Sequence, residues 1–517
     1  MKTVRQFTFI LSLSVLAPLC GSFCQSSVNA QEPIGIKVSV QNEINPGGDV
    51  WDGWGTSLCW WANRIGYNDR LTERAASLFF DKADGLGLNI MRYNIGGGDD
   101  PSHHHITRTD SDIPGWQKYD AATGTYVYDY SADARQLAVL KAADQAAGDE
   151  SIVEVFSNSP PYFMTVSGCT SGNFRAAVNN LKQDRYTDFA QYLAHVTNHI
   201  VNDLGIKVTS VSPMNEPNTD YWSAFSAKQE GCHFDAGKPQ CDIIVETRKA
   251  LDGYGLENVI VAMSDETNPG KQIEEIQKLT PEARKAAGRI NAHTYGTNEI
   301  MRLGQLTHQE NLSLWMSEVD GNGVAGSNAG EMASGLWLAD KIISDITALK
   351  PSAWVLWQVI DTHVSKDGYD GRRDKGPLNR NQGFWGLAWA NHDSSTVELT
   401  QKYYSFGQFT RYIRPGARVI LCPLPSDSRL RSIAAVNSDG SVAVVIVNLS
   451  ADNRDVSIDL SELGIRRNRA SVIRTSGDIV TGEHWNNAGR IRAKHGLISV
   501  SCIGNSVSTI LVGSTLR

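Results

Sequence analysis

Ile206-Lys207-Val208-Thr209-Ser210-Val211-Ser212-Pro213-Met214-Asn215-Glu216-Pro217-Asn218 is a short β-branched run that ends on an amide, a carboxylate and a proline. Its length and residue types are those of a buried strand. Pro217, with no N–H and a fixed φ, stops the strand and steers the chain into a loop, so Asn215 and Glu216 are left at a strand's C-terminal end. Working outward, seven more runs of this kind occur, at 53–59, 89–94, 152–157, 259–264, 290–293, 313–317 and 353–358. Between them lie segments with apolar residues at three- and four-residue spacing, at 70–86, 132–147, 185–205, 241–255, 270–279 and 330–349. Eight strands alternating with helices over about 305 residues predict an α/β fold, a closed (β/α)8 TIM barrel. The alternative is an open doubly wound sheet, but no GxGxxG or GxxxxGK[ST] follows any strand, and Gly96-Gly97-Gly98 alone is a weak phosphate loop.

Beyond Phe406 the period changes from 3.6 to 2. Runs at 419–421, 430–437, 442–448, 455–460, 471–475, 490–493 and 507–512, separated by turns such as Ser438-Asp439-Gly440, predict a β-sandwich. The alternating segment 34–43 is expected to join it, so the side domain is built from both termini. The expected organisation is a signal peptide over 1–30, N-terminal strand residues over 31–50, a catalytic barrel over 51–405 and a C-terminal sandwich over 406–517. The leader reading rests on Lys2 and Arg5, the apolar run 7–19 and the small-residue site Val28-Asn29-Ala30. That run is shorter than the ~20 residues a membrane span needs, so no span is expected and the protein is read as secreted, extracellular or periplasmic.

Loss of that leader would take the formal charge from -8 to -10, which leaves no basic stripe for nucleic acid and suits a neutral substrate. Six cysteines would remain, an even number that fits an oxidising compartment, and Cys232 and Cys241, which flank a short loop, are the first expected disulfide. No CxxC spacing suggests structural zinc. Three consecutive histidines, His103-His104-His105, cannot all face one ion, so they read as a rim loop; no metal and no cofactor are expected. A monomer is expected.

Active sites of β/α barrels lie at the C-terminal ends of the strands. The polar and aromatic residues placed there are Trp60 and Trp61, Arg92 and Asn94, Asn158 and Tyr162, Asn215 and Glu216, His293 and Tyr295, Glu318, and Trp357 and Gln358. Glu216 and Glu318 are 102 residues apart, which is 34 for each of three βα units and close to the about 31 of a 250-residue barrel. Both carboxylates can therefore share one mouth. Paired carboxylates in an aromatic-lined cleft are what glycoside hydrolysis requires: one protonates the leaving oxygen while the other meets the oxocarbenium-like centre. Asn-Glu-Pro is weak by itself, since a glutamate that ends a strand is more often a surface group, and Trp315, inside an apolar strand, reads as core. The joint placement at one face carries the reading.

These residues, with Asp52-Gly53-Trp54-Gly55-Thr56-Ser57-Leu58, Ser157-Asn158-Ser159-Pro160-Pro161-Tyr162-Phe163-Met164 and Tyr403-Tyr404-Ser405-Phe406-Gly407-Gln408-Phe409, resemble glycoside hydrolase family 30, in clan A of the retaining β-glycosidases. The resemblance runs from Trp51 to the C-terminus. It implies Glu216 as acid/base, Glu318 as nucleophile, Asn215 on the sugar 2-hydroxyl, and Arg92 and Tyr295 orienting the nucleophile. Trp60, Asn94, Asn158, His293 and Trp357 complete the expected substrate-binding set. Arg92 is expected to keep Glu318 ionised while Glu216 holds a proton. The run 55–62 and Gln229-Glu230-Gly231-Cys232-His233-Phe234 look most like the family's endo-β-1,6-galactanases, which implies a polysaccharide or oligosaccharide partner, β-1,6-linked galactan of arabinogalactan side chains. A β-1,6-glucanase, a xylanase or an exo-β-glycosidase of the same fold is the alternative reading, and a non-catalytic carbohydrate-binding protein a third. Trp485 is a candidate glycan contact on the sandwich, where packing is the default. Asn311 and Asn448 stand in glycosylation sequons.

Overall fold

All eight expected runs form strands, and the strands close in chain order into one parallel barrel. They are β1 Gly53–Ser57, β2 Ile90–Asn94, β3 Ile152–Phe156, β4 Val208–Ser212, β5 Ile260–Glu266, β6 Ala287–His293, β7 Leu314–Glu318 and β8 Ala353–Leu356. This computed structural model describes residues 32–513 apart from 47, 49, 109–110, 321–330, 367–384 and 466–468; the leader-like segment 1–30 and the first residue of the expected helix 330–349 lie outside the described residues. β8 pairs with β1, Trp354 opposite Trp54, which closes the ring. Both indoles turn outward onto Phe406, with ring centroids 5.5 and 5.9 Å away. Gly53 lies at φ 142°, and a Cβ there would fall 1.9 Å from Asn89 Oδ1. That oxygen instead accepts the Trp54 N–H at 3.1 Å, which locks β1 against the start of β2.

Inside the barrel, Ile90, Trp315, Ala353 and Val355 form a small apolar cluster with Ile152 packed on it. Trp315 is core, as its strand context implied: its ring lies under the Arg289 guanidinium at 3.4 Å and its indole N–H reaches Asp52. The rest of the interior is polar, which sets the site chemistry described below.

The helices follow the expected segments. The first major one, Asp69–Phe79, ends well short of residue 86 because Asp81 Oδ1 accepts the N–H groups of Ala83 and Asp84 and turns the chain back. The short helices Trp61–Ile65 and Pro281–Ala286 were not foreseen, nor were two longer ones, Ile300–Gln309 and Gln401–Thr410. Trp485 packs on the last of these, its indole N–H on Tyr404 C=O at 2.7 Å and Arg411 over its ring at 4.3 Å. Its place is therefore at the joint between the two lobes.

The sandwich has a six-stranded sheet in the order 418–421, 430–436, 442–448, 506–512, 469–476, 483–492, and a three-stranded sheet of Ile34–Lys37, Arg454–Asp459 and Leu497–Cys502. The N-terminal strand pairs in parallel with Arg454–Asp459, Ile36 opposite Ile458, so both chain ends contribute to the lobe as expected. Leu497–Cys502 was missed because its apolar residues Ile498 and Val500 alternate with exposed serines over too few turns to stand out. Asn448, in the second sequon, is fully buried and donates to the carbonyls of Asp452, Cys502 and Ile503, so it is closed to glycosylation in the fold; Asn311 is exposed.

The expected Cys232–Cys241 disulfide is not formed, and all six described cysteines are buried. Cys241 sits in the helix Lys238–Gly253, where its sulfur faces Glu275, the Lys278 carbonyl and the Thr280 N–H. Cys232 lies on the loop side, against the His233 carbonyl. The start of the helix turns the two sulfurs toward different neighbours.

Candidate active site

β2 places Arg92 inward, fully buried, and the barrel supplies three carboxylates to it. Arg92 Nε donates to Glu154 of β3 at 2.9 Å, Nη1 to Glu318 of β7 at 3.2 Å, and Nη2 to Asp265 of β5. Below it, Glu154 also accepts from Ser210 at 2.8 Å, Asn291 at 2.9 Å and Arg289. Buried charges persist only when paired and hydrogen-bonded. Here these contacts tie six strands, β2 to β7, into one guanidinium network beneath the mouth.

The two glutamates stand on that base. Glu216 follows β4 with φ at 46°, a left-handed conformation uncommon outside glycine, and its N–H is held by the Asp265 carbonyl at 2.8 Å. Its carboxylate accepts from Tyr221 Oη at 2.5 Å and faces His293 Nδ1 at 3.2 Å. Glu318 takes Arg92 on one oxygen and Tyr295 Oη at 3.1 Å on the other, with His293 Nδ1 3.6 Å away. One oxygen of each glutamate and the imidazole nitrogen all lie within 4.8 Å of one another. On the far side of the imidazole, Nε2 is 3.1 Å from Asp265.

The electrostatics follow from burial against this charge set. Arg92 is raised despite burial, by Asp265, Glu154 and Glu318. Burial pushes Asp265 up, but Arg92 and His293 outweigh it and hold the carboxyl well below the usual range. His293 is raised well above the usual histidine value, because the charges of Glu318 and Asp265 outweigh its burial. Burial lifts Glu318 to about 7 against the opposing charges of His293 and Arg92. Burial also acts on Glu216, yet hydrogen bonds from His293, Tyr221 and Thr267 bring it below the usual range. Arg92 lowers Glu318 as expected, but it is shared among three carboxylates and burial outweighs it, so the net directions are the reverse of the expected ones, Glu318 up and Glu216 down.

The aromatic residues meet on the same mouth. Trp60 and Trp357 cross edge to face at 5.0 Å, Arg108 lies over the Trp60 ring at 4.2 Å, and both indoles cluster with Cys59, Ile113 and Phe156. Phe156 also lies under Arg92 at 4.3 Å, which places this aromatic wall directly beside the carboxylates. Asn158 donates to Cys59 Sγ at 3.7 Å and its Oδ1 is unpartnered, as is Asn215 Oδ1. Asn94 is placed differently: it turns toward Glu230, whose carboxylate accepts the N–H groups of Gly97 and Gly98, and no described contact joins it to the glutamate pair.

Sequence reasoning missed Asp265, Glu154, Tyr221, and Asp320 beyond Glu318, a carboxyl that burial raises to about 7. Asp265 was one residue past the expected end of its strand, so the strand-end rule used for the glutamates would have found it. Glu154 carried a signal as well, a lone charge inside Ile152-Val153-Glu154-Val155-Phe156. Among the described residues, two groups bring three ligating atoms within 4.8 Å: Glu216, His293 and Glu318, and, apart from them, Asp99, His103 and His105. No described helix is long and apolar enough to cross a membrane.

Comparison with known proteins agrees with this architecture. A family model described as O-glycosyl hydrolase family 30 matches residues 37–249, and one for the glycosyl hydrolase family 30 beta sandwich domain matches 416–484. An endo-beta-1,6-galactanase of Hypocrea rufa is 28% identical over 90% of this chain and 93% of its own length. An exo-beta-1,6-galactobiohydrolase of Bifidobacterium longum is 27% identical over 80% of this chain, which spans only 34% of that longer protein. Among solved structures, the catalytic domain of the family 30 xylanase C from Talaromyces cellulolyticus superposes with a TM-score of 0.67 at 19% identity, covering 93% of this chain and all of that one.

Proposed function

The chain belongs to glycoside hydrolase family 30, and from that premise we propose that it cleaves β-1,6-linked galactan by double displacement, with retention at the anomeric carbon. The observation that carries the mechanism is the approach of Glu216 and Glu318 to within 4.8 Å, oxygen to oxygen. Retaining enzymes hold their carboxyl groups about 5–5.5 Å apart, whereas inverting enzymes leave about 6.5–9.5 Å for a water. Glu318, fixed by Arg92 and Tyr295, attacks the anomeric carbon; Glu216 protonates the departing oxygen and then activates the water that releases the sugar. Asn215, beside Glu216 with a free amide oxygen, accepts from the sugar 2-hydroxyl. Trp60 and Trp357 supply ring faces for the sugar.

Turnover needs the proton on Glu216, whereas in the free site burial raises Glu318 and hydrogen bonds lower Glu216. A bound sugar reverses this preference, because the developing positive charge at the anomeric carbon faces Glu318 and the basic glycosidic oxygen faces Glu216. His293, within 3.6 Å of both, is the short path for the transfer.

Galactan as substrate is supported by the two relatives named for β-1,6-galactose linkages. A polymeric substrate and the leader-like N-terminus support a site of action outside the cytoplasm. The test is product analysis on de-arabinosylated arabinogalactan, β-1,6-glucan and xylan. Galactose and short β-1,6-galacto-oligomers are expected from the first. Cleavage of glucan or xylan alone would move the assignment within the family, and cleavage of none would reject it.

A further inference from the structure

We propose that Asp99, His103 and His105 form a binding site for a divalent first-row transition ion of the zinc class at the rim of the barrel mouth. Three adjacent histidines cannot share an ion, but two separated by one residue can, and here both turn Nδ1 toward one carboxylate. His105 Nδ1 lies 2.8 Å from Asp99 Oδ2, and His103 Nδ1 lies 3.8 Å from Asp99 Oδ1. A tetrahedral ion with bonds of about 2.1 Å separates its ligand atoms by about 3.4 Å. Small side-chain rotations would bring the three atoms to that spacing.

The second observation is an unsatisfied atom. The His105 side chain is 7% exposed, and its Nδ1 has no hydrogen-bond partner. Its Nε2 meets Ser171 Oγ at 2.9 Å. That hydroxyl also lies 3.1 Å from Ser223 C=O and accepts from Ser226 N–H at 3.1 Å, so Nε2 can donate to it and leave the Nδ1 lone pair available to an ion. In that tautomer Nδ1 and the Asp99 oxygen 2.8 Å from it meet as two acceptors, which a proton or a metal ion held between them reconciles. His103 has the matching outer partner, its Nε2 being 3.6 Å from Asp100 Oδ2. Ligating histidines characteristically point their other nitrogen at such a group. Phe225 packs edge-on against both imidazoles, at 5.1 and 5.4 Å, and covers the site.

The ion would join the segment after β2 to those carrying Ser171 and Phe225, after β3 and β4. Asp99 and His104 also line a groove of about 660 Å³ with Tyr119 and Tyr162, so bound metal would stiffen one wall of the cleft approach. The test is calorimetric titration of the chelator-stripped full chain with zinc chloride, with thermal melting alongside. One equivalent is expected to bind and to raise the melting temperature. His103→Ala, at the more exposed ligand, should abolish that binding while the fold stays intact by circular dichroism, and Asp100→Asn should weaken it about 10–100-fold. Glu318→Gln should bind as the wild type does. No binding to the wild type, undiminished binding to His103→Ala, or loss in Glu318→Gln would each overturn the proposal, the last by moving the ion to the catalytic pair.

Discussion

Asp265→Asn removes one negative charge from the most connected point of the barrel interior. Its carboxylate accepts from Arg92 and from Ser317 Oγ at 2.6 Å, and faces His293 Nε2 at 3.1 Å. Breaking a fully buried ion pair costs about 3–5 kcal/mol, because the partner charge is left without compensation. Arg92 keeps Glu154 and Glu318, which places the loss at about 3 kcal/mol, the lower end of that range. With an unfolding entropy of about 2.1 cal/mol/K per residue, a cooperative unit of roughly 350 residues loses about 1.4 °C per kcal/mol, so the midpoint should fall by about 4 °C. The same change releases the imidazole that faces both glutamates and frees the guanidinium arm next to Glu318, so kcat/KM should fall at least tenfold. Glu154→Gln is the control. It removes a charge from the same arginine, yet touches neither glutamate, so it should melt about as early while holding kcat/KM within about threefold. Differential scanning calorimetry and initial rates on a β-galactoside read both quantities. Equal kinetic losses in the two variants, or a melting point for Asp265→Asn within 1 °C of wild type, would refute the view that this network positions the pair.

Loss of the proton shared by Glu216 and Glu318 as pH rises through about 7 should give kcat/KM an alkaline limb near that value, read from a pH–rate profile. Tyr221→Phe removes a donor that favours the ionised form of Glu216, so its pKa rises and the alkaline limb of kcat should move up by about one pH unit; a downward shift or none contradicts the hydrogen bond's role. Because Cys232 and Cys241 are unpaired thiols, dithiothreitol should leave the melting temperature within about 1 °C, whereas a native disulfide between them would contribute about 2–4 kcal/mol and betray itself by a clear fall.

The barrel was legible because each strand is an apolar, β-branched run bounded by turn-forming residues, and burial on both faces leaves that mark in any sequence. The glutamates were legible because position along such a strand tells which end a residue occupies. The network under them was less so. Nothing local in Ile152-Val153-Glu154-Val155-Phe156 says that Glu154 meets Arg92 from the preceding strand and Arg289 from three strands on; that is a property of the closed ring. Cys232 and Cys241 misled for a related reason, since proximity in sequence does not fix the direction of a sulfur once a helix begins between them. His103 and His105 were set aside on the argument that adjacent side chains diverge, and the turn over Asp99 to His105 brings the alternate pair back together.

The roles of the two glutamates rest most directly on chemical rescue. Glu216→Ala, given a β-galactoside with a good leaving group and excess azide, should regain turnover and release β-galactosyl azide, because Glu318 still forms the covalent intermediate and azide needs no general base. Recovery of the α-azide, or the absence of rescue in a folded variant, would contradict the assignment of Glu318 as nucleophile and Glu216 as acid/base.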